Sequence, residues 1–474
     1  MNETLFVKFY SMIKMFLTLS EIISATKGVL IQGNKTGTIR HIAIDSRKVK
    51  KGSLFIAIKG HHLDGHQFIP EAVRRGAKAV VISHSVSIVS RVTIIKVEDT
   101  TKALGDIASL YRHKFNIPVI AVTGSCGKTT TKEMIAVALQ TKYKVLKNFK
   151  TENNHIGVPM TLLRLNSSYQ IAVLEFGTNR FGDIRWLAQI TNPTIALFTN
   201  IGESHLKFLK NPLGVFKEKT EMLRFLKPPK IIILNNDDLY LRKILDRKWK
   251  GKILTYAMNS PSDFTANGVK MIDNAILQFK VNRRQNFQLP TPAMHNVYNA
   301  LAAIACGRLF KIRFSQIEEK IRNFRFPQGR QIVTKNNRFT VIDDTYNANP
   351  VSLRSALETL KILDSAPRKI FVCADMLELG KSSRALHVMI GKLVGKTSLS
   401  AVFTVGKFAE YISREAKKEN QDLVSDHFDT VEKVNSRLKE YCQTGDVILV
   451  KGSRAMKMER TVEFLSALAK DVGG

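Results

Sequence analysis

Short, continuously apolar runs separated by segments of helical periodicity recur along most of this chain, and that rhythm restricts its fold more than any other feature. Ile117–Val122, Ile171–Leu174, Thr194–Phe198 and Ile231–Leu234 are each followed by a stretch in which apolar residues return every three or four positions. A strand that is apolar on both faces needs cover on both faces, which helices supply when the strands run parallel. The alternation restarts at Thr340–Ile342 and continues through Lys369–Val372, Ala401–Val405 and Val447–Val450. Residues 1–97 instead mix short strands (Leu54–Ile58, Ala79–Ile82) with turns and a helix near Pro70–Arg75. The pattern predicts an α/β protein of three domains, 1–97, 98–327 and 328–474, without internal repeats or low-complexity linkers. The middle domain is expected to carry a parallel sheet and the last a smaller Rossmann-like one.

Charge raises a competing possibility. The 73 Lys and Arg exceed the 40 Asp and Glu, for a net charge of +33. A nucleic-acid partner would gather that surplus on one face and interleave aromatic stacking residues. Here it is spread as +9, +19 and +5 over residues 1–98, 99–325 and 326–474, in short clusters such as Arg47-Lys48-Val49-Lys50-Lys51. A lysine-rich solvated surface is the expectation, with no nucleic-acid partner. The four cysteines (126, 306, 373, 442) form no CxxC pair, as in a reduced cytoplasm. Lys8, Lys14 and Glu21 interrupt the apolar stretch Phe6–Ile23, so neither a signal peptide nor membrane insertion is expected. Helical patterning begins near Leu17, which makes Met12 or Met15 a candidate start.

The sharpest local signal is Val122-Thr123-Gly124-Ser125-Cys126-Gly127-Lys128-Thr129-Thr130, after a strand and before a helix expected over Thr131–Leu139. Glycines let such a loop close around an anion, while loop N–H groups and the helix dipole face phosphate oxygens. Lys128 would reach the β- and γ-phosphates of ATP, and the Thr129 hydroxyl would bind Mg²⁺. The alternative is a glycine-rich turn with a surface lysine. Position 122 is valine where the general phosphate-loop pattern has glycine, which leaves a shorter GxxGKTT loop.

That shorter loop resembles the one in the Mur ligase family, ATP-dependent amide ligases of peptidoglycan synthesis. Asn153-Asn154-His155-Ile156-Gly157, Glu175-Phe176-Gly177, Asn200-Ile201-Gly202-Glu203-Ser204-His205 and Glu218-Lys219-Thr220-Glu221 follow in the family's order. His295 to Ala300 is similar to its adenine-side motif, which implies that Asn296 and Asn299 contact the nucleotide together with the loop residues 124–130. Asp343-Asp344-Thr345-Tyr346-Asn347-Ala348-Asn349-Pro350, Cys373 to Gly380 and Lys451 to Arg454 resemble the member that adds D-alanyl-D-alanine to a UDP-N-acetylmuramoyl-tripeptide. The nearest alternative is the relative that adds one diamino acid to the dipeptide. The resemblance spans Asp45 to Glu459 and leaves out the residues before about Met15.

It also assigns roles. Amide formation in water needs an activated carboxylate, and a site that neutralises phosphate charge can make an acyl phosphate. Thr129 and Glu175 become ligands of one Mg²⁺; His205 fits a second metal site, the alternative being a structural loop histidine; and Lys219 becomes a ligand after CO₂ adds to its ε-amine. On a helix Lys219 neighbours Val215, Phe216, Met222 and Leu223. The plainer reading is a lysine whose stem lies on that apolar face while its ammonium reaches water. Arg330 would meet the ATP phosphates, with Asp344 and Tyr346 facing the nucleotide and Asn347 and Asn349 beside it. The Asp343–Asp344 pair could also be a base or a metal site. Lys451 and Arg454 are candidates for orienting an acidic substrate group. In the first domain, Ser46, Arg47 and His66 are assigned to the UDP end, and in the middle domain Asn154 is assigned to substrate. His62 and His66 have a zinc-like gap without a cysteine pair, and a solvated loop is the alternative for His61 and His62. A monomer is expected.

Overall fold

The computed structural model describes residues 16–60, 63–86, 92–272, 275–363 and 368–469. His61, His62 and both candidate start methionines lie outside them. The chain divides into two compact units. The first takes the described residues up to Ile120 with Tyr143–Gly177 and Arg185–Pro193; the second takes Ala121–Lys142, Thr178–Ile184 and the residues from Thr194 on.

In the first unit, helix α1 (Leu19–Thr26) is started by a reciprocal cap. Thr18 Oγ1 accepts from the Glu21 N–H at 3.1 Å and the Glu21 carboxylate accepts from the Thr18 N–H at 2.7 Å. The helix therefore begins two residues after Leu17. Strands β1 (Val29–Gln32), β2 (Ile42–Ala43), β3 (Leu54–Ile56), β4 (Ala79–Ile82) and β5 (Thr93–Lys96) form a sheet in the order β1-β5-β4-β3-β2. Only the edge strand β1 runs antiparallel. Helix α2 (Ile69–Arg74) starts with Pro70 in its first turn, where a missing N–H costs nothing. Asp99 caps α3 (Thr100–Arg112) by accepting from the N–H groups of Thr101 and Lys102. Strand β6 (Val119–Thr123) starts in this unit and ends in the other.

The phosphate-loop helix α4 (Lys128–Leu139) lies in the second unit. Strands β7 (Val145–Lys147) and β8 (Ile171–Glu175) pair in parallel in the first. Strands β9 (Ile195–Phe198), β10 (Ile231–Asn235) and β11 (Lys252–Ala257) pair in parallel in the second. Asn211 caps the intervening α5 (Pro212–Thr220). The expected parallel sheet is extended after β11 by strands of another kind. β12 (Phe264–Met271) pairs with it in parallel, but β13 (Leu277–Val281) and β14 (Gln285–Leu289) add an antiparallel meander. In β13 Leu277, Phe279 and Val281 are buried in alternation, as a half-covered antiparallel strand requires. Helix α6 (His295–Leu309) follows.

The last sheet runs β15-β16-β20-β17-β18-β19, from β15 (Ile332–Lys335), β16 (Thr340–Asp344), β17 (Lys369–Ala374), β18 (Ala401–Val405), β19 (Val424–Phe428) and β20 (Val447–Lys451). All but β15 are parallel. Phe371 and Leu449 join a core with Leu353, Leu357 and Leu360 of α7 (Pro350–Ile362). Their sequence neighbours Ile370, Val372, Ile448 and Val450 fill the opposite face. Truncating Phe371 to alanine would cost about 3–5 kcal/mol. Because β20 lies between β16 and β17, the strand order reverses there, and ligands of such sheets sit at the carboxyl ends of the strands beside that point. Asp344 and Lys451 end two of them. Among the described residues no helix is long and apolar enough to cross a membrane.

Candidate active site

The phosphate loop is held from behind by the segment after β9. A Cβ on Gly124, whose φ is +157°, would lie 1.8 Å from Thr199 Oγ1, so only glycine fits. Gly127, at φ +79°, presses the Asn299 amide of α6. Cys126 donates its N–H to Asn200 Oδ1 (2.9 Å), and its carbonyl accepts from Thr199 Oγ1 (2.6 Å). Ser125 Oγ exchanges hydrogen bonds with the Gly202 backbone and accepts from Ser204 Oγ (3.0 Å). Helix α4 starts at Lys128, three residues before the expected Thr131, so Lys128, Thr129 and Thr130 form its first turn. Lys128 Nζ folds back onto the Gly124 carbonyl at 2.9 Å. Asn299 is buried with both ends of its amide occupied: Oδ1 accepts from Thr131 Oγ1 and Nδ2 donates to Asn296 Oδ1. Asn296 and Asn299 thus brace the loop from below.

The turn before β15 reaches this loop. Arg330 Nη2 donates to Thr129 Oγ1 at 2.9 Å, and its guanidinium stacks 3.9 Å from the Tyr346 ring centroid. Asn349 caps α7 and accepts from Cys126 Sγ at 3.3 Å. Asn347 is exposed. The two aspartates go separate ways, as adjacent strand residues do. Asp343 accepts from Thr345, whereas Asp344 Oδ2 accepts from Gln331 (2.8 Å) and Lys451 (2.6 Å). No paired-acid base or metal site forms. Lys451 is buried, and its Nζ also donates to the Asn347 carbonyl (2.9 Å), so it clamps the motif rather than reaching toward a substrate. Arg454 is exposed and pairs with Glu459.

His205 follows β9 at φ +53°, with Nδ1 2.7 Å from Glu378 Oε2. Burial and the charges of Lys128 and Lys219 push its pKa down, against the pull of Glu378. Lys219 has 0% of its surface exposed, and Val215, Phe216, Met222 and Leu223 are buried too. The reading in which its ammonium reaches water is therefore overturned. Glu218 faces the other way and accepts from the N–H groups of Gly182 and Ile184, both at 2.8 Å; burial pushes its pKa up.

In the first unit, Glu175 ends β8 buried, its carboxylate oriented by Asn153 Nδ2 at 2.7 Å. Asn154 is exposed and accepts from the N–H groups of Ile156 and Gly157. Ser46 is buried and donates to Glu71 (2.5 Å). His66 is buried, with Nε2 accepting from the Ser83 N–H (3.0 Å) and Nδ1 on Asp64 (2.6 Å). Arg47 alone points outward, its side chain 78% exposed. Asp64, His66 and His84 lie close enough to suggest a metal cluster. However, the Ser83 contact puts the His66 hydrogen on Nδ1, where a metal would need the lone pair. Sequence reading passed over Thr199, Asn200 and Glu378 as site residues. Glu378 stood in a recognised motif, but nothing local links it to residue 205.

The Mur ligase middle domain matches residues 122–307, the Mur ligase glutamate ligase domain 329–454, and the Mur ligase family catalytic domain 38–112. The UDP-N-acetylmuramoyl-tripeptide--D-alanyl-D-alanine ligase of Bacillus subtilis (strain 168) is 34% identical, over 94% of this chain and 98% of its own. The chain belongs to the Mur ligase family. The Escherichia coli (strain K12) member of that name is likewise 34% identical, over 95% of this chain and 98% of its own. Among solved structures, MurF from Acinetobacter baumannii superposes on this Mur ligase with a TM-score of 0.87 at 29% identity, covering 96% of this chain and 99% of its own. MurF from Thermotoga maritima in complex with ADP gives 0.80 at 28%, covering 91% and 98%.

Proposed function

We propose that this Mur ligase joins D-alanyl-D-alanine to a UDP-N-acetylmuramoyl-tripeptide through an acyl phosphate, releasing ADP and phosphate. One observation carries the reading. The Arg330–Thr129 hydrogen bond, with Tyr346 stacked on the guanidinium, brings the motif that separates the D-alanyl-D-alanine-adding member from its relatives onto the phosphate loop. The residues that distinguish the added amine thus adjoin those that handle phosphate.

The chemistry follows from the side chains. Lys128 and Arg330 neutralise phosphate oxygens, which lets the tripeptide carboxylate approach the γ-phosphorus and take the phosphoryl group. The dipeptide amine then attacks the acyl carbon and phosphate leaves. Loop residues 124–130 bind nucleotide phosphates, Asn296 and Asn299 support the adenine side, and Asp344 and Tyr346 line the nucleotide. Asn347 and Asn349, beside the nucleotide, and Asn154 are read as substrate-binding residues. Arg47 meets the UDP end, on a loop framed by Ser46 and His66. Segments 1–97, 98–327 and 328–474 are read as the UDP-substrate, ATP and ligase domains of a cytoplasmic monomer.

The donor chemistry fits Mg²⁺. Thr129 and Glu175 offer hard oxygens, and His205 has its Nδ1 occupied by Glu378, which leaves Nε2 with the lone pair. Lys219, wholly buried, gains from carbamoylation, which exchanges a desolvated cation for a metal-binding carboxylate. When bound, the cation supplies charge neutralisation at the transferring phosphoryl group. The test is coupled phosphate release. Turnover is expected with UDP-muramoyl-tripeptide plus D-alanyl-D-alanine. Turnover only with the dipeptide substrate plus a diamino acid would overturn the reading in favour of the neighbouring ligase.

A further inference from the structure

The loop after β9 is gripped at every second residue. Glu203 pairs with Arg354 of α7 at 2.7 Å. His205 Nδ1 lies 2.7 Å from Glu378 Oε2, and the Lys207 N–H donates to the Glu378 carbonyl at 3.0 Å. A single residue, Glu378, therefore holds both the His205 ring and the backbone two positions on. Its turn is built closely against that backbone, for a Cβ on Gly380 would sit 3.1 Å from Lys207 Cα. Glu378 (φ +63°) and His205 (φ +53°) both adopt a left-handed conformation that non-glycine residues avoid. Such conformations persist where surrounding contacts over-determine them, as they do here.

The contact has a chemical consequence. A carboxylate can only accept, so the imidazole hydrogen resides on Nδ1 and the lone pair on Nε2. We propose that Glu378 is a positioning residue of this ligase, fixing the tautomer and ring orientation of His205 so that Nε2 is presented to the divalent cation. The inference rests on the reading of His205 as a metal ligand. Glu378 reaches that ligand from the far end of β17, so metal affinity depends on the last sheet being seated against the loop.

The experiment pairs two readouts on the full chain with ADP present. Nitrogen-15 NMR of histidine-labelled protein reports the tautomer, with the His205 resonance assigned by its loss in H205A. Titration with Mn²⁺ followed by electron paramagnetic resonance reports metal affinity. The wild type is expected to show His205 protonated on Nδ1. E378A should shift it toward the other tautomer and weaken Mn²⁺ roughly tenfold, the usual effect of losing such an outer partner. E378Q, whose amide oxygen still accepts, should keep the tautomer and most of the affinity. Glu378 is 49% exposed, so both variants should fold, and a melting curve checks this. Unchanged tautomer and Mn²⁺ affinity in E378A overturns the proposal. If E378A moves the tautomer but H205A leaves Mn²⁺ binding intact, the metal reading of His205 falls and takes the proposal with it.

Discussion

Two regions resemble anion sites in the sequence, and they distribute their polar groups in opposite ways. The phosphate loop ties its Ser125 hydroxyl and Cys126 carbonyl backward onto Thr199 to Ser204. Its long cation, Lys128, folds back onto the Gly124 carbonyl. In the loop read as the UDP end, the Ser46 hydroxyl and both His66 nitrogens are consumed internally, whereas Arg47, though paired with Asp45, keeps its side chain 78% exposed. Motif membership therefore does not mean ligand contact. A motif residue can serve by building the surface from which another residue projects.

The largest test of this contrast is Lys128→Ala. Removing the charge proposed to act on the transferring phosphoryl group should lower turnover by about 10²–10³-fold while the melting temperature holds. Phosphate release and a melting curve measured together check it. A second test probes the brace under the loop. His295 opens α6, is half-buried, and has its pKa pushed down to about 4 from the ordinary 6.5 by desolvation, with Lys451 adding to and Asp344 opposing the shift. Folded His295 is thus neutral, and its stabilisation is complete above pH 6.5 and lost as pH falls toward 4. About 2 kcal/mol should disappear by pH 5, and His295→Phe should flatten that acid limb in urea titrations.

Third, His66→Ala should leave the partly buried Ser83 N–H without its acceptor and cost roughly 1 kcal/mol of stability, with little change in KM for the nucleotide-sugar peptide once folded. Arg47→Ala should show the reverse at smaller scale, with KM raised about five- to tenfold and no change in melting temperature. If His66→Ala raised KM more than Arg47→Ala, the division between frame and contact would be wrong.

Much of the fold was legible because burial on both faces writes itself into composition. Ile171–Glu175, Ile231–Asn235 and Val447–Lys451 read as covered parallel strands and are so. The meander over Phe264–Leu289 was missed, although Leu277, Phe279 and Val281 carry the two-residue period of a half-covered strand. That period is short and interrupted by polar residues, so it stands out less than the helix-strand rhythm around it. At the site, the loop from Gly124 to Thr130 was readable because strand, glycines and helix are contiguous. Glu378 was not, since its partner His205 is 173 residues away.

Local pattern by itself determined that this chain makes parallel α/β sheets with a phosphate loop, because strand burial, glycine conformation and helix initiation are short-range properties. The tertiary structure decided which motif residues are free to act. Lys219 lies wholly buried although local pattern allowed its ammonium to reach water, Lys451 is clamped on Asp344, and Arg330 crosses to Thr129. Those outcomes depend on desolvation and on hydrogen-bond partners supplied by distant segments.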